Sequence, residues 1–249
     1  MSNLIDSSLN LQFDLEITIQ PQLEDVLASG MDQLISQLPN MTQIPTPFVA
    51  ALTATLYQFW TRSIHSSADL TISELTHSAK QSQFFDLLTS DYITRYGRKK
   101  LVQIAATTAK QVQDSVRQDM ARGESFLSAV KKLSAEVPSM ARRRAKVILA
   151  TESHAANQYA SQRAAERSGQ LLLKVWNSIV DDRTRRFGVL GRQDAFNHLA
   201  MNQTSVLLNS TYSVPRLTGG FERLYFPGDP DGSAGNIINC RCIQTYERA

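Results

Sequence analysis

The first 61 residues contain neither lysine nor arginine, and the whole chain has two cysteines, Cys240 and Cys242. Two cysteines cannot form the disulfide framework that staples small secreted domains. No stretch approaches the ~18 consecutive apolar residues of a membrane span, so no membrane partner is expected. The opening Met1-Ser-Asn-Leu-Ile-Asp6 has neither the basic start nor the apolar run of a signal peptide, which predicts folding in the cytoplasm. The patterns of phosphate-binding loops, dinucleotide folds, serine hydrolases, zinc proteases and cysteine proteases are all missing, so an ordinary enzyme class has no support. With 11 glycines, 8 prolines and 20% charged residues, the chain is neither collagen-like nor mainly disordered.

What is present is enough apolar material for a core, 42% of 249 residues, in one large or two small domains. Charge is strongly segregated. Asp6, Asp14, Glu16, Glu24, Asp25 and Asp32 give residues 1–61 a charge of −6. Between Arg95 and Lys146, thirteen basic residues stand against four acidic ones, a net +9. The two regions are suited to different partners, or to each other.

Periodicity divides the chain into three. Residues 1–20 alternate around Leu9, Leu11, Phe13, Leu15, Ile17 and Ile19, which reads as a strand or an extended acidic docking arm. Residues 21–169 read as helical. Leu23, Val26, Leu27, Met31, Leu34, Ile35 and Leu38 follow helical spacing, and a second helix starts at Thr46-Pro47 and runs through Phe59 and Trp60. Residues 63–90 suggest a weaker helix flanked by loops. A long amphipathic helix covers about Arg98 to Ala121, a short one carries Phe126, Val130 and Leu133 and stops before Pro138, and a third runs from Ser139 to Gly169. After Gly169 the composition turns to strand type in Leu171–Val180, with further strands at Ser205–Leu208, Phe221–Phe226 and Ile243–Tyr246. The fold class expected is therefore α+β, a mainly helical N-terminal two-thirds followed by a small mixed domain at 170–249.

Four constellations carry potential chemistry. Arg142, Arg143, Arg144 and Lys146 could grip phosphates, or could face an acidic protein surface such as the chain's own N-terminal region. Thr151-Glu152 with Asn157 could be an acid/base pair or ordinary helix-face partners. Asp181, Asp182, Arg183 and Arg185 follow a strand end, where active sites often gather, and equally suit an Arg–carboxylate network that pins the loop. Cys240 and Cys242, two apart in what reads as a strand entry, would share a face with Arg241 opposite. A disulfide at that spacing would be strained. As a metal site the pair needs two more ligands, from His198 and Asp229 or Asp231, and zinc with Cys2His and one further ligand is chemically sensible. As small buried hydrophobes the cysteines need no partner.

The order of these pieces resembles the phage Mu F-like head morphogenesis family, the minor head proteins of tailed phages. The resemblance runs from about residue 95 to the end, through the helix with Arg142 to Glu152 and Asn157, Lys174-Val-Trp176, Asp181-Asp-Arg-Thr-Arg185, the Pro-Gly-Asp loop and Asn239-Cys-Arg-Cys242. Two departures stand out: Ala150 precedes Thr151-Glu152 where the family usually has Arg, and Gly188 occupies the place of a usual His. The segment Asp194–Asn202 looks like that His-bearing piece displaced by an insertion of roughly ten residues, which gives His198 the role if the displacement is real. The resemblance implies a structural virion component, present in multiple copies, that works with the portal or capsid protein in head assembly, DNA packaging or ejection. Double-stranded DNA is a further expected partner, and the protein would be in the host cytoplasm before assembly. Two other readings stay open: a nuclease or transferase using Asp181, Asp182, Arg183, Arg185 and His198, and a plain DNA-binding helical module.

Overall fold

The computed structural model describes residues 2–76, 82–188 and 193–249. Its layout is α+β, with helices through the N-terminal two-thirds and a small strand-containing region at the C-terminus. The helices are α1 (Ser2–Ile35), α2 (Thr46–Thr76), α3 (Ser82–Tyr92), α4 (Arg98–Ala121), α5 (Phe126–Arg167) and α6 (Ala234–Ile237). A π-helical turn, Ile93–Gly97, leads into α4. The strands are β1 (Leu172–Asn177), β2 (Thr204–Leu207), β3 (Tyr212–Pro215), β4 (Phe221–Leu224) and β5 (Ile243–Arg248). No described helix is long and apolar enough to cross a membrane.

Residues 1–20 are not an extended arm: from Ser2 on, the chain is the start of a 34-residue helix. The reason lies in a shared subset of two periods. An alternation at 9, 11, 13, 15, 17 and 19 contains the four-residue series Leu11, Leu15, Ile19, and that series continues as Leu23, Leu27 and Met31. Ile19, Leu23, Leu27, Met31 and Leu34 are buried, while Phe13 and Ile17, the positions that suit only the two-residue period, are exposed. The break expected before Pro138 is likewise absent, and α5 runs unbroken for 42 residues. Proline in a helix removes one N–H and crowds the carbonyl four residues earlier. Pro138 and Ser134 are both on the exposed side of α5, where water can satisfy that carbonyl. Pro21 in α1 is exposed in the same way. Helix α2 also runs further than expected, to Thr76, and residues 77–81 of the polar stretch lie outside the described residues.

The chain forms two compact units, and their division falls inside α1, α2 and α5 rather than at the change of composition near Gly169. One unit comprises 16–59 and 93–149. Within it Gly30 lets α1 approach α2 closely, since a Cβ there would meet the Phe48 ring at 2.2 Å. The Arg144 guanidinium donates to Thr108 Oγ1 at 2.6 Å, to the Ile104 carbonyl at 2.8 Å and to Thr107, which ties α5 to α4.

The other unit comprises 1–15, 60–92 and 150–249. Its sheet has the order β2-β1-β5 with antiparallel pairings, Val175 opposite Ser205 on one side and Thr245 on the other. Strands β3 and β4 form a separate hairpin. The sheet docks on the second half of α5 through polar side chains. Gln158 Oε1 accepts from the Gln244 backbone N–H at 3.0 Å, and Gln162 Oε1 accepts from Gln244 Nε2 at 2.8 Å. Gln162 Nε2 in turn donates to the Leu208 carbonyl at 3.0 Å. Aromatic contacts complete the layer: Trp60 on Tyr92, Tyr92 on Tyr159, and Tyr159 on Phe226, with ring centroids 5.8, 5.2 and 6.3 Å apart.

Candidate metal centre

Three elements bring His198, Cys240 and Cys242 together. His198 directly precedes a 3₁₀ turn, Leu199–Met201, and its backbone N–H is held by the Arg185 carbonyl at 3.0 Å. The cysteines lie between α6 and β5, just before the strand rather than in it. Asn239 turns the chain there with φ of 55°, a left-handed conformation that Asn tolerates better than most residues. Its backbone N–H donates to Thr151 Oγ1 on α5 at 3.1 Å. The expected opposition of side chains holds: both sulfurs face His198, and Arg241 turns to Asp181.

His198 Nδ1 lies 3.6 Å from Cys240 Sγ and 3.5 Å from Cys242 Sγ, and the three ligand atoms are all within 4.8 Å of one another. All three residues are buried. Behind the ring, His198 Nε2 is 2.5 Å from Asn236 Oδ1, and Asn236 Nδ2 donates to Glu222 Oε2 at 2.7 Å. Because Nδ2 of the amide must donate to the carboxylate, Oδ1 accepts, so the imidazole proton sits on Nε2. Nδ1 then offers its lone pair to the sulfurs, the tautomer and outer hydrogen bond of a metal-bound histidine. Burial works against charge on Glu222, but hydrogen bonds from Asn236 and Ser233 outweigh it and hold its carboxyl below the usual range. Trp176 packs edge-on against the His198 ring at 5.4 Å and against Tyr212 at 5.2 Å, which fixes the ring plane.

The thiols titrate as a pair. Cys240 is pushed up because it donates its proton to Cys242 and is buried, and Cys242 is held down by that hydrogen bond, with His198 and Ser178 adding to it. The first thiolate therefore forms on Cys242, next to a histidine lone pair. Both cysteines are free thiols. Two sulfurs and one imidazole converging without a disulfide form a set able to hold a metal ion.

The remaining motif residues brace this cluster. Asp181 takes Arg241 in a two-pronged contact at 2.6 and 2.7 Å, and this holds its carboxyl down at about 2. Its Oδ1 also accepts from the backbone N–H groups of Arg183 and Thr184 at 3.0 and 3.1 Å. The Arg185 guanidinium binds the Ile238 carbonyl. Arg183 and Asp182 are exposed. Asp229, expected as a ligand, instead accepts from the backbone N–H groups of Tyr225 and Asp231 at 2.7 and 3.1 Å, and neither it nor Asp231 belongs to the ligand cluster. A turn-forming Asp in a Pro-Gly-Asp-Pro-Asp loop is satisfied by its own backbone, which keeps it out of reach of a shared ion. The cavity beside His198 and Cys242 is about 10 Å³, lined by Thr184, Arg185 and Arg241 among others. Residues 189–192, inside the stretch read as an insertion, lie outside the described residues.

Of the basic cluster, Arg142, Arg143 and Lys146 are exposed, and Arg142 approaches Glu24 at 3.5 Å. Arg144 does not belong with them, because its guanidinium is bound to α4. Glu152 and Asn157 are both buried on α5. Sequence reasoning missed Glu222 and Asn236, which support His198, and His154, which is buried on α5 one turn beyond Thr151. A histidine in an otherwise alanine-rich, gapless helix was the available signal for the last. Nothing in the local sequence pointed to the first two.

No family model matches the chain, and no solved structure matches it. Among curated proteins it is similar to the uncharacterized protein YqbB of Bacillus subtilis (strain 168), with 24% identity over 145 residues, 58% of this chain. The matched stretch is 44% of that relative's length, so the chain spans less than half of the protein it is similar to.

Proposed function

We propose that this chain is a structural minor head protein of a tailed phage, associated with the portal or capsid and acting in head morphogenesis, DNA packaging or delivery. The carrying observation is that the motif residues behind the Mu F-like resemblance brace one another instead of lining an opening. Trp176 packs on His198, Asp181 is bound by Arg241, and the adjoining cavity is about 10 Å³, too small for a substrate. A nuclease or transferase would need that aspartate free, whereas here both carboxylate oxygens are engaged. Arg142, Arg143 and Lys146 remain as an outward basic group for DNA or an acidic partner. The ion at His198, Cys240 and Cys242 is zinc, whose preference for thiolate and imidazole suits this donor set, and it supplies a redox-inert cross-link between two loops.

Mass spectrometry of gradient-purified particles from the producing host tests the assembly role. The chain is expected in the head fraction at low copy relative to the major capsid protein. Recovery only from soluble lysate, with none in particles, refutes it. For the ion, elemental analysis of the purified protein is expected to give close to one zinc per chain, and less than about a tenth of an equivalent returns the cysteines to plain burial.

A further inference from the structure

We infer that His154 is the fourth ligand of this centre, making a closed Cys2His2 zinc site from His154, His198, Cys240 and Cys242. The inference rests on the three-residue metal reading given above and extends it to α5. His154 is 2% exposed, and its Nε2 has no hydrogen-bond partner among the described residues. The ring is hydrogen-bonded to the Pro227 backbone, which orients it, and it is within electrostatic reach of both Cys242 and His198. A buried ring nitrogen without a partner has lost water and gained nothing, and such an atom calls for a specific explanation. A metal ion supplies one.

The surroundings fit. Gly228 lies against the ring, where a Cβ would fall 2.4 Å from Cδ2 and 2.9 Å from Nε2, and its φ of 78° suits glycine. Any side chain there would push the imidazole out of place. One turn before His154 on the same helix, Thr151 holds the Asn239 N–H at 3.1 Å, so α5 grips the chain directly ahead of Cys240. Burial drives His154 down to about 4, which keeps it neutral, the form that binds metal. The competing fourth ligands are otherwise engaged. Asp229 caps its own turn, Asp181 is bound by Arg241, and the Ser178 hydroxyl donates to the His198 carbonyl at 2.6 Å. Structural zinc sites are four-coordinate and closed, and the small adjoining cavity leaves no position for a substrate. Two thiolates and two neutral imidazoles also balance the ion's charge, so the buried centre is electrically neutral.

X-ray absorption at the zinc edge of the unmodified full-length protein tests this. The expected shell is two sulfurs with two imidazoles. Two sulfurs with a single imidazole overturns the role of His154 while leaving the three-residue site standing. A protein that takes up neither zinc nor cobalt overturns both readings together. Variants give a second route that does not depend on tight folding of one of them. His154→Ala is expected to weaken cobalt affinity about 100-fold or more in competition with a chelating dye and to lose the intense tetrahedral spectrum. His154→Cys is expected to restore it with added thiolate-to-cobalt absorption. A His154→Ala protein with unchanged affinity and spectrum refutes the assignment.

Discussion

The two halves of helix α5 are built on different physics. In residues 126–149 the buried positions are Ala129, Leu133, Val137, Met140, Ala141, Ala145, Ile148 and Leu149, a single apolar stripe with exposed charge around it. From Thr151 to Gln162 every residue is buried, and eight of those twelve are polar. The first half is held by area removed from water, which tolerates any side chain of about the right shape. The second half depends on each buried polar group finding its partner, where a single loss leaves other groups unsatisfied. One helix can serve both purposes because hydrogen bonding within its backbone does not depend on what its faces meet.

The contrast can be broken at several points. Trp176→Ala should cost most, about 3–5 kcal/mol in urea unfolding, because it empties the centre of the cluster around His198 and Tyr212. In the apolar stripe, Leu133→Ala should cost about 2–5 kcal/mol through its cavity alone. Gln162→Leu keeps the volume but strands the Gln244 amide and the Leu208 carbonyl, for about 1–3 kcal/mol. A neutral Gln162→Leu would erase the distinction between the two halves.

A pH titration sharpens the same point. Lys174 is fully buried, donates to the Tyr225 carbonyl at 2.6 Å and lies 4.1 Å from the Tyr225 ring centre. Burial pulls it down to about 8, against 10.5 for an unburied lysine. Between those values the unfolded chain holds the proton that the folded chain has lost, so stability should rise with pH from about 8 towards 10. Above that the sign reverses, because burial raises Tyr212 and Tyr246, and the unfolded chain ionises them first. Urea unfolding at each pH checks this, and Lys174→Met should flatten the rise. The smallest effect expected is for Arg143→Ala, within about 0.5 kcal/mol, since that side chain is exposed on the charged side of α5.

Much of the helical frame was legible because apolar spacing is a local property. The α4 boundaries at Arg98 and Ala121 and the start of α2 at Thr46 follow directly from it. The N-terminal segment misled because its alternation contains a helical series, and only the continuation through Leu27 and Met31 decides between the two. Pro138 misled because a break depends on whether the freed carbonyl can reach water, which is a matter of exposure. At the site, Cys240, Cys242 and His198 were nameable from residue type and order, and the structure brings them within 4.8 Å of one another. Asn236, Glu222 and His154 were not, since ordinary residue types acquire a role only through what folding places beside them.

The sequence by itself determined the helical periods, the segregation of charge and the chemical types able to bind an ion, because each is carried by neighbours along the chain. Only the tertiary structure decided which of them meet. Asp229 lost its expected role to its own turn, Arg144 lost its outward one to α4, and His154 gained a place beside Cys242 and His198. The physical reason is the same in all three cases. A buried polar atom must be satisfied by whatever lies within a few ångströms, and those neighbours come from loops and helices tens of residues apart in the chain.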